Sequence, residues 1–251
     1  MVQVESRDGI AVLRFDRPPA NAIELGLVRA LEEALGPLEA DAGTRALVVT
    51  GQGGFFSAGL DLKVVPAYGP VDQRALVMTI NRALGRLYGL GCPTVAAVNG
   101  HALAGGLVMA LGCDFRIGAR GAYRLGLTES RVGIPYPLVA MTVVRAELAP
   151  AVARRVVLLG RHQTPEDALA AGILDELAPP DRVLPRALEV ARELAALPRA
   201  SYARIKRQLR ADALDRIERA LATGADPLLD GWLTSETAPA AAEVLARGPR
   251  G

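Results

Sequence analysis

Two short segments concentrate the residues that could do chemistry. The first is Phe55-Phe56-Ser57-Ala58-Gly59-Leu60-Asp61-Leu62, and the second is Asn99-Gly100-His101-Ala102-Leu103-Ala104-Gly105-Gly106-Leu107. Each sets a strand or turn ahead of small residues that leave backbone N–H groups bare. In the second, Gly105 and Gly106 open a helical stretch. The first N–H groups of a helix lack internal partners and lie at its positive end, so a ligand oxygen can approach where no side chain intervenes. One N–H from each segment would make a two-donor site for an oxyanion. The same glycines also suit tight turns and close packing, and alone they do not choose between these roles. Gly51-Gln52-Gly53-Gly54 lacks the Gly-Lys-Ser/Thr ending of a phosphate loop and reads as a turn. The two histidines, His101 and His162, read as bystanders. No Cys/His/acid cluster has ligand spacing, so no metal site is expected.

These segments need a scaffold of strands and helices. Residues 2–5 and 10–15 read as a hairpin around Asp8-Gly9. Leu27, Val28, Leu31, Leu35 and Leu38 recur at helical spacing, so 24–40 is an amphipathic helix. Residues 46–50 and 94–98 are short buried strands, 72–90 is a second long helix, and 105–112 a short one. Further short strands are expected at 115–117 and 123–125, and beyond Thr128 the pattern turns helical. Thr164-Pro165-Glu166-Asp167 is a helix start, with Thr as N-cap and Pro at the first position, and Gly172 is its C-terminal cap. Helical patterns follow at 182–197, 200–214 and 216–223.

Bulk properties narrow the function. A chain of 251 residues permits one large domain, or one with a smaller appendage. Half of it is apolar but only 4% is aromatic, so the core must be built from Ala, Leu and Val. Lys and Arg total 29 against 27 acids, with no basic stripe, which argues against a nucleic-acid partner. Cys92 and Cys113 sit in apolar surroundings and read as buried thiols in a reducing compartment. The N-terminus lacks the charged and apolar blocks of a secretory signal, so a cytoplasmic location is expected. Residues 87–113 carry no Asp, Glu, Lys or Arg and would be long enough to span a bilayer. Pro93, Asn99-Gly100 and Gly105-Gly106 interrupt them, so a buried strand, turn and helix are expected and no membrane partner.

Phe56-Ser57-Ala58-Gly59-Leu60-Asp61-Leu62, followed about forty residues on by Val98-Asn99-Gly100, Ala104-Gly105-Gly106 and Cys113-Asp114, resembles the enoyl-CoA hydratase/isomerase (crotonase) superfamily. The resemblance covers nearly the whole chain, including Ala171-Gly172-Ile173-Leu174-Asp175. It implies an α/β fold, a crotonase-like spiral of ββα units in residues 1–197, with a C-terminal helical oligomerisation region in 198–251. It implies a homotrimer or hexamer and an acyl-CoA thioester as partner. No cofactor is implied, because CoA arrives as part of the substrate. By the same resemblance the Ala58 and Gly105 N–H groups bind the thioester oxygen, and Ala58, Gly59, Leu60, Asp61, Leu62 and Gly105 contact substrate and CoA. Lys63 would lie near the CoA phosphates or be a solvated surface lysine.

The superfamily shares an enolate site and varies its acids and bases. The hydratases use two glutamates, and at the first of those positions this chain has Val108. Hydration needs one group to activate water and another to handle the α-proton, and valine can do neither. The second position matches Glu129, within Gly126-Leu127-Thr128-Glu129-Ser130-Arg131-Val132-Gly133-Ile134. That stretch, with Pro18-Pro19-Ala20-Asn21, resembles the Δ3,Δ2-enoyl-CoA isomerases, which work with one carboxylate. The implied role of Glu129 is to take a proton from C2 and return it at C4. Val108, Leu107 and Ile134 would desolvate it and raise its pKa. Without the resemblance, Glu129 also reads as a helix N-terminal acid or a salt-bridge partner. Asp61 reads as a cap of the CoA loop or a second acid, and Trp232 and Tyr136 as acyl-channel walls or core. The competing functions are another crotonase-type enzyme (hydratase, thioester hydrolase or decarboxylase), a non-catalytic acyl-CoA- or RNA-binding homologue, and a structural role through the helical tail.

Overall fold

Asp8 and Gly9 take positive φ values of 53° and 77°, closing the expected hairpin between β1 (Val2–Arg7) and β2 (Ile10–Phe15). The structure, a computed structural model, describes residues 1–229 and 231–247. α1 (Leu25–Ala40) follows; the Glu24 carboxylate caps it by accepting from Gly26 N and Leu27 N, both at 2.8 Å. Then come β3 (Ala46–Gly51), β4 (Phe55–Ser57) and α2 (Pro70–Gly89). The next turn is β5 (Thr94–Val98), β6 (His101–Leu103) and α3 (Gly105–Leu111). β7 (Phe115–Ala119) and β8 (Leu125–Gly126) lead into α4 (Glu129–Val132), α5 (Leu138–Glu147), α6 (Pro150–Leu159) and α7 (Pro165–Ala170). β9 (Glu176–Ala178), α8 (Val183–Ala195), α9 (Arg199–Leu209), α10 (Ala211–Thr223) and α11 (Thr237–Arg247) complete the order.

Successive turns feed two sheets. The larger runs β1-β2-β3-β5-β7-β9 and is parallel after the first pair, whereas β4-β6-β8 form a small parallel sheet of their own. After the β1–β2 hairpin, β3–β4, β5–β6 and β7–β8 each send one strand to the large sheet and the next to the small one, which is the expected spiral of ββα units. β3 and β5 are buried on both faces, as parallel interior strands must be. Leu47, Val49, Ala96 and Val98 face a core shared with α1, α2, α3, α5 and α10, while Ala46, Val48, Val95 and Ala97 meet Val183, Ala187 and Ala191 of α8. Residues 87–113 are buried strand, turn and helix, and among the described residues no helix is long and apolar enough to cross a membrane.

Several expectations need correcting. The strand expected at 123–125 is only Leu125–Gly126, because Arg124 N donates to His101 Nδ1 at 3.1 Å and Tyr123 sets its ring edge-on to His101. β4, β6 and β9, three residues each, are too short to show a period. The helix expected at 200–214 breaks at Arg210 (φ −102°, ψ 11°), whose guanidinium is drawn into a buried ion cluster. α11 falls within the C-terminal helical region expected at 198–251, beyond the last helix that the pattern delimits, 216–223. Within the expected 198–251 region, residues 230 and 248–251 lie outside the described residues.

Candidate active site

The three strands of the small sheet run parallel, Phe55 beside His101, Ser57 beside Ala102 after a shift of register, and Ala102 beside Leu125, so their carboxyl ends lie side by side. β4 runs into Ala58–Leu62, β6 into Ala104-Gly105, and β8 into Leu127-Thr128-Glu129. The three segments thereby meet at one cleft of about 1000 Å³, lined among others by Ala58, Leu60, Gly105, Val108 and Glu129. Asn21 braces the first segment from behind: its side-chain amide donates to Gln52 O at 3.0 Å and Phe55 O at 2.8 Å, and its main-chain carbonyl accepts from Ser57 Oγ at 2.8 Å.

The donors at this junction differ from the expected pair. The Ala58 N–H donates to Ala20 O at 3.0 Å and is not free to meet a ligand. Leu60, two residues on, has the open N–H instead. Ile23 bridges this segment by donating to Gly59 O at 2.7 Å and accepting from Asp61 N at 2.8 Å. In an extended backbone the intervening N–H points the other way. The Leu60 N–H accordingly has no partner among the described residues, and Leu60 lines the cleft. The Gly105 N–H is likewise unpartnered. Ala104 ahead of it takes φ 48° and ψ −128°, which sets the plane of the peptide carrying that N–H. Such a backbone is unfavourable by about 1–3 kcal/mol and persists at ligand-facing positions when its surroundings hold it. Here the Ala104 N–H is held by Gly126 O at 2.7 Å. The two segments touch: a β-carbon on Gly59 would lie 3.2 Å from the Gly105 nitrogen.

The paired glycines divide the two roles the sequence left open. A β-carbon on Gly106 would stand 2.4 Å from Ser57 O, so Gly106 serves the packing of α3 on β4. On Gly105 its nearest neighbour would be the Ile23 Cδ1 at 3.1 Å. Gly105 therefore leaves its N–H open to the cleft. One helical turn on, Val108 is buried and lines the same cleft.

Glu129 begins α4 and is only 6% exposed. No cation pairs with it among the described residues, and its one side-chain partner is the Tyr136 hydroxyl, which donates to Oε2 at 2.5 Å. Burial pushes its pKa up to about 7, against a smaller downward pull from the Tyr136 hydrogen bond. Val108, Met109, Val132, Ile134 and Ala140 supply the apolar wall. Leu107, expected in that wall, is buried in the core instead.

The remaining candidates fall into place around this centre. Asp61 and Gly59 do not line the cleft; Asp61 pairs with Arg17 at 2.8 Å and accepts from Lys63 N at 3.1 Å, so it orders the loop. Leu62 and Lys63 do line it, and the Lys63 ammonium has no carboxylate partner among the described residues. His101 packs between Phe55 and Tyr123, and burial lowers its pKa, as it does for His162. Trp232 both lines the cleft and is buried, donating Nε1 to Pro135 O at 2.7 Å. Cys92 and Cys113 are buried free thiols, the latter pushed up to about 12 by burial.

Comparison with known proteins gives a consistent context. The family described as Enoyl-CoA hydratase/isomerase matches residues 5–230. A protein of Thermus thermophilus named putative enoyl-CoA hydratase is 38% identical over 198 residues, 78% of each chain. The rat protein named enoyl-CoA delta isomerase 1, mitochondrial, is 32% identical over 219 residues, 86% of this chain and 76% of its own. The solved structure of human mitochondrial delta3-delta2-enoyl-CoA isomerase superposes with a TM-score of 0.89 at 28% identity, covering 98% of this chain and 97% of that one.

Proposed function

The chain belongs to the enoyl-CoA hydratase/isomerase family, and from that premise we propose that it moves the double bond of a 3-enoyl-CoA to the 2-position with Glu129 as its one acid/base. The observation that carries this reading is a buried carboxylate, with no cation paired to it among the described residues, in a cleft also lined by a valine where a second acid would be needed for hydration. Glu129 takes the proton from C2 of the 3-enoyl thioester. The electron pair of that C–H bond delocalises onto the thioester oxygen, giving a dienolate. The Leu60 and Gly105 N–H groups bind that oxygen, where fixed donors in a dry site are worth most. The protonated carboxyl then gives its proton to C4, leaving the bond between C2 and C3.

A pKa near 7 suits a group that must act as base and acid in one turnover. Leu60 and Leu62 would lie along the pantetheine arm, with Lys63 at the phosphates. No further cofactor is required, since CoA enters with the substrate.

The hydratase reading competes, and the Thermus thermophilus relative bears that name. Two cuvettes separate them. In the first, a trans-3-enoyl-CoA is followed for the absorbance of the conjugated 2-enoyl thioester. In the second, a 2-enoyl-CoA is supplied with a 3-hydroxyacyl-CoA dehydrogenase and NAD to report hydration. Fast conjugation with little hydration is expected; fast hydration would mean that another residue replaces the acid missing at Val108.

A further inference from the structure

We propose that Tyr136 is a positioning residue for the proton transfer: it pins one oxygen of the Glu129 carboxyl, so that the other oxygen alone carries the proton between C2 and C4. The inference rests on Glu129 being the acid/base. Its geometry comes from the chain just after Glu129. α4 is a single turn, ended by Gly133 with φ 63°, and the chain folds back so that Tyr136 meets the residue seven before it. The segment on either side of Tyr136 is anchored. Trp232 Nε1 donates to Pro135 O at 2.7 Å, Leu138 N donates to Asp226 Oδ2 at 2.7 Å, and Val139 N donates to Asn81 Oδ1 at 3.1 Å. The hydroxyl is thus delivered to Glu129 Oε2 by backbone held at three points, and the contact is 2.5 Å.

The chemistry follows from counting protons. A phenol has one hydrogen to donate. Here it goes to Oε2, which accepts it whether Glu129 is ionised or neutral. The proton taken from C2 must therefore sit on Oε1, and the same oxygen returns it to C4. The carboxyl does not rotate between the two steps, because the Tyr136 bond survives both. Burial and the adjacent carboxylate raise the Tyr136 pKa far above any working pH, so it stays a donor throughout. Among the described residues, no charged group on the neighbouring elements pairs with Glu129 or Tyr136. Arg131 of α4 donates Nε to Gly160 O at 2.6 Å. Arg154 and Arg155 of α6 and Glu243 of α11, the helices packed on α4, are exposed.

The test is Tyr136→Phe, read two ways. Without substrate, the Glu129 carboxyl is titrated by carbon-13 NMR, assigned with Glu129→Gln. With trans-3-enoyl-CoA, kcat, KM and the acid limb of kcat/KM are measured. Loss of a bond that favours the charged form should raise the Glu129 pKa by about one unit and move the acid limb with it. We expect kcat to fall about 10- to 100-fold with KM within about twofold, the pattern of lost alignment rather than lost binding. A purely structural tyrosine would lower the folded fraction and leave the pH profile where it was. Should Tyr136→Phe fold poorly, a fluorinated tyrosine placed at 136 keeps the shape and strengthens the donor, and the acid limb should then move down. An unchanged Glu129 titration in both variants overturns the proposal. A shifted titration in a protein that is inert toward 3-enoyl-CoA overturns the isomerase reading, and with it the proton-transfer role of Tyr136, while leaving the contact itself intact.

Discussion

Glu129 and Asp114 are both buried carboxylates, yet their surroundings are opposites. Asp114 Oδ1 lies 2.9 Å from Lys206 Nζ and 3.1 Å from Arg210 Nη1, and its Oδ2 accepts from Tyr202 Oη at 3.0 Å and Thr94 N at 2.9 Å. Arg210 also reaches Glu147 Oε1 at 3.1 Å and stacks on Tyr88, and Arg116 links Glu147 to Asp175. Three cations thus meet three carboxylates, and the cluster fastens the α9–α10 junction to the starts of β5 and β7. Glu129 has one neutral hydroxyl and an apolar wall. Burying a charge is tolerable when it is paired, and an unpaired one neutralises instead through a raised pKa. The compensated carboxylate is architecture. The uncompensated one holds a proton near neutral pH, which is what proton transfer requires.

The largest stability effect should come from the compensated side. Asp114→Asn leaves Lys206 and Arg210 buried against a neutral amide and should lose about 3–5 kcal/mol in urea unfolding, with activity per folded molecule unchanged. A loss under about 1 kcal/mol would mean that the cluster does not hold the C-terminal helices down.

The pH dependence sharpens the other side. The folded pKa of Glu129 is raised, to about 7 from 4.5. The native state therefore binds this proton more readily than the unfolded chain does, so its contribution to stability is present below about 4.5 and is lost as pH rises through about 7. The total is on the order of 3 kcal/mol. Unfolding free energies of wild type and Glu129→Gln should diverge across that window, with the variant gaining on the wild type as pH rises; parallel curves would mean that the carboxyl is not desolvated.

Smaller still is the contrast within the glycine pair. Gly106→Ala pushes a methyl against Ser57 O and should destabilise by about 1–3 kcal/mol. Gly105→Ala meets only the terminal carbon of Ile23, at 3.1 Å, and should cost under about 1 kcal/mol, so equal melting temperatures for the two would erase the division of roles.

The sequence made the scaffold legible where periodicity is long and local. Leu27 to Leu35 marked α1, and the apolar runs of β3 and β5 marked the buried strands. The resemblance carried Glu129 and Gly105 to the cleft that the structure lines with them. It did not distinguish Ala58 from Leu60, because the residues that decide, Ala20 accepting from Ala58 and Ile23 bridging Gly59 and Asp61 around Leu60, lie more than thirty positions upstream. Tyr136 was legible as a large side chain, not as the partner of Glu129; the clue was Gly133, which ends a helix too short to carry the chain away. Arg210 breaks a helix that its own neighbours favour, since the charges that attract it, Asp114 and Glu147, lie far away in sequence.

The most direct test of the contrast is Glu129→Gln, assayed for conversion of a trans-3-enoyl-CoA to the conjugated 2-enoyl thioester, with folding checked alongside. The amide can still accept from Tyr136 and still fills the pocket, but it cannot take a proton. A loss of about 10²- to 10⁴-fold in kcat, in a protein at least as stable as the wild type above pH 7, is the predicted result. Full activity in that variant would contradict the account, because the uncompensated carboxylate would then be doing no chemistry.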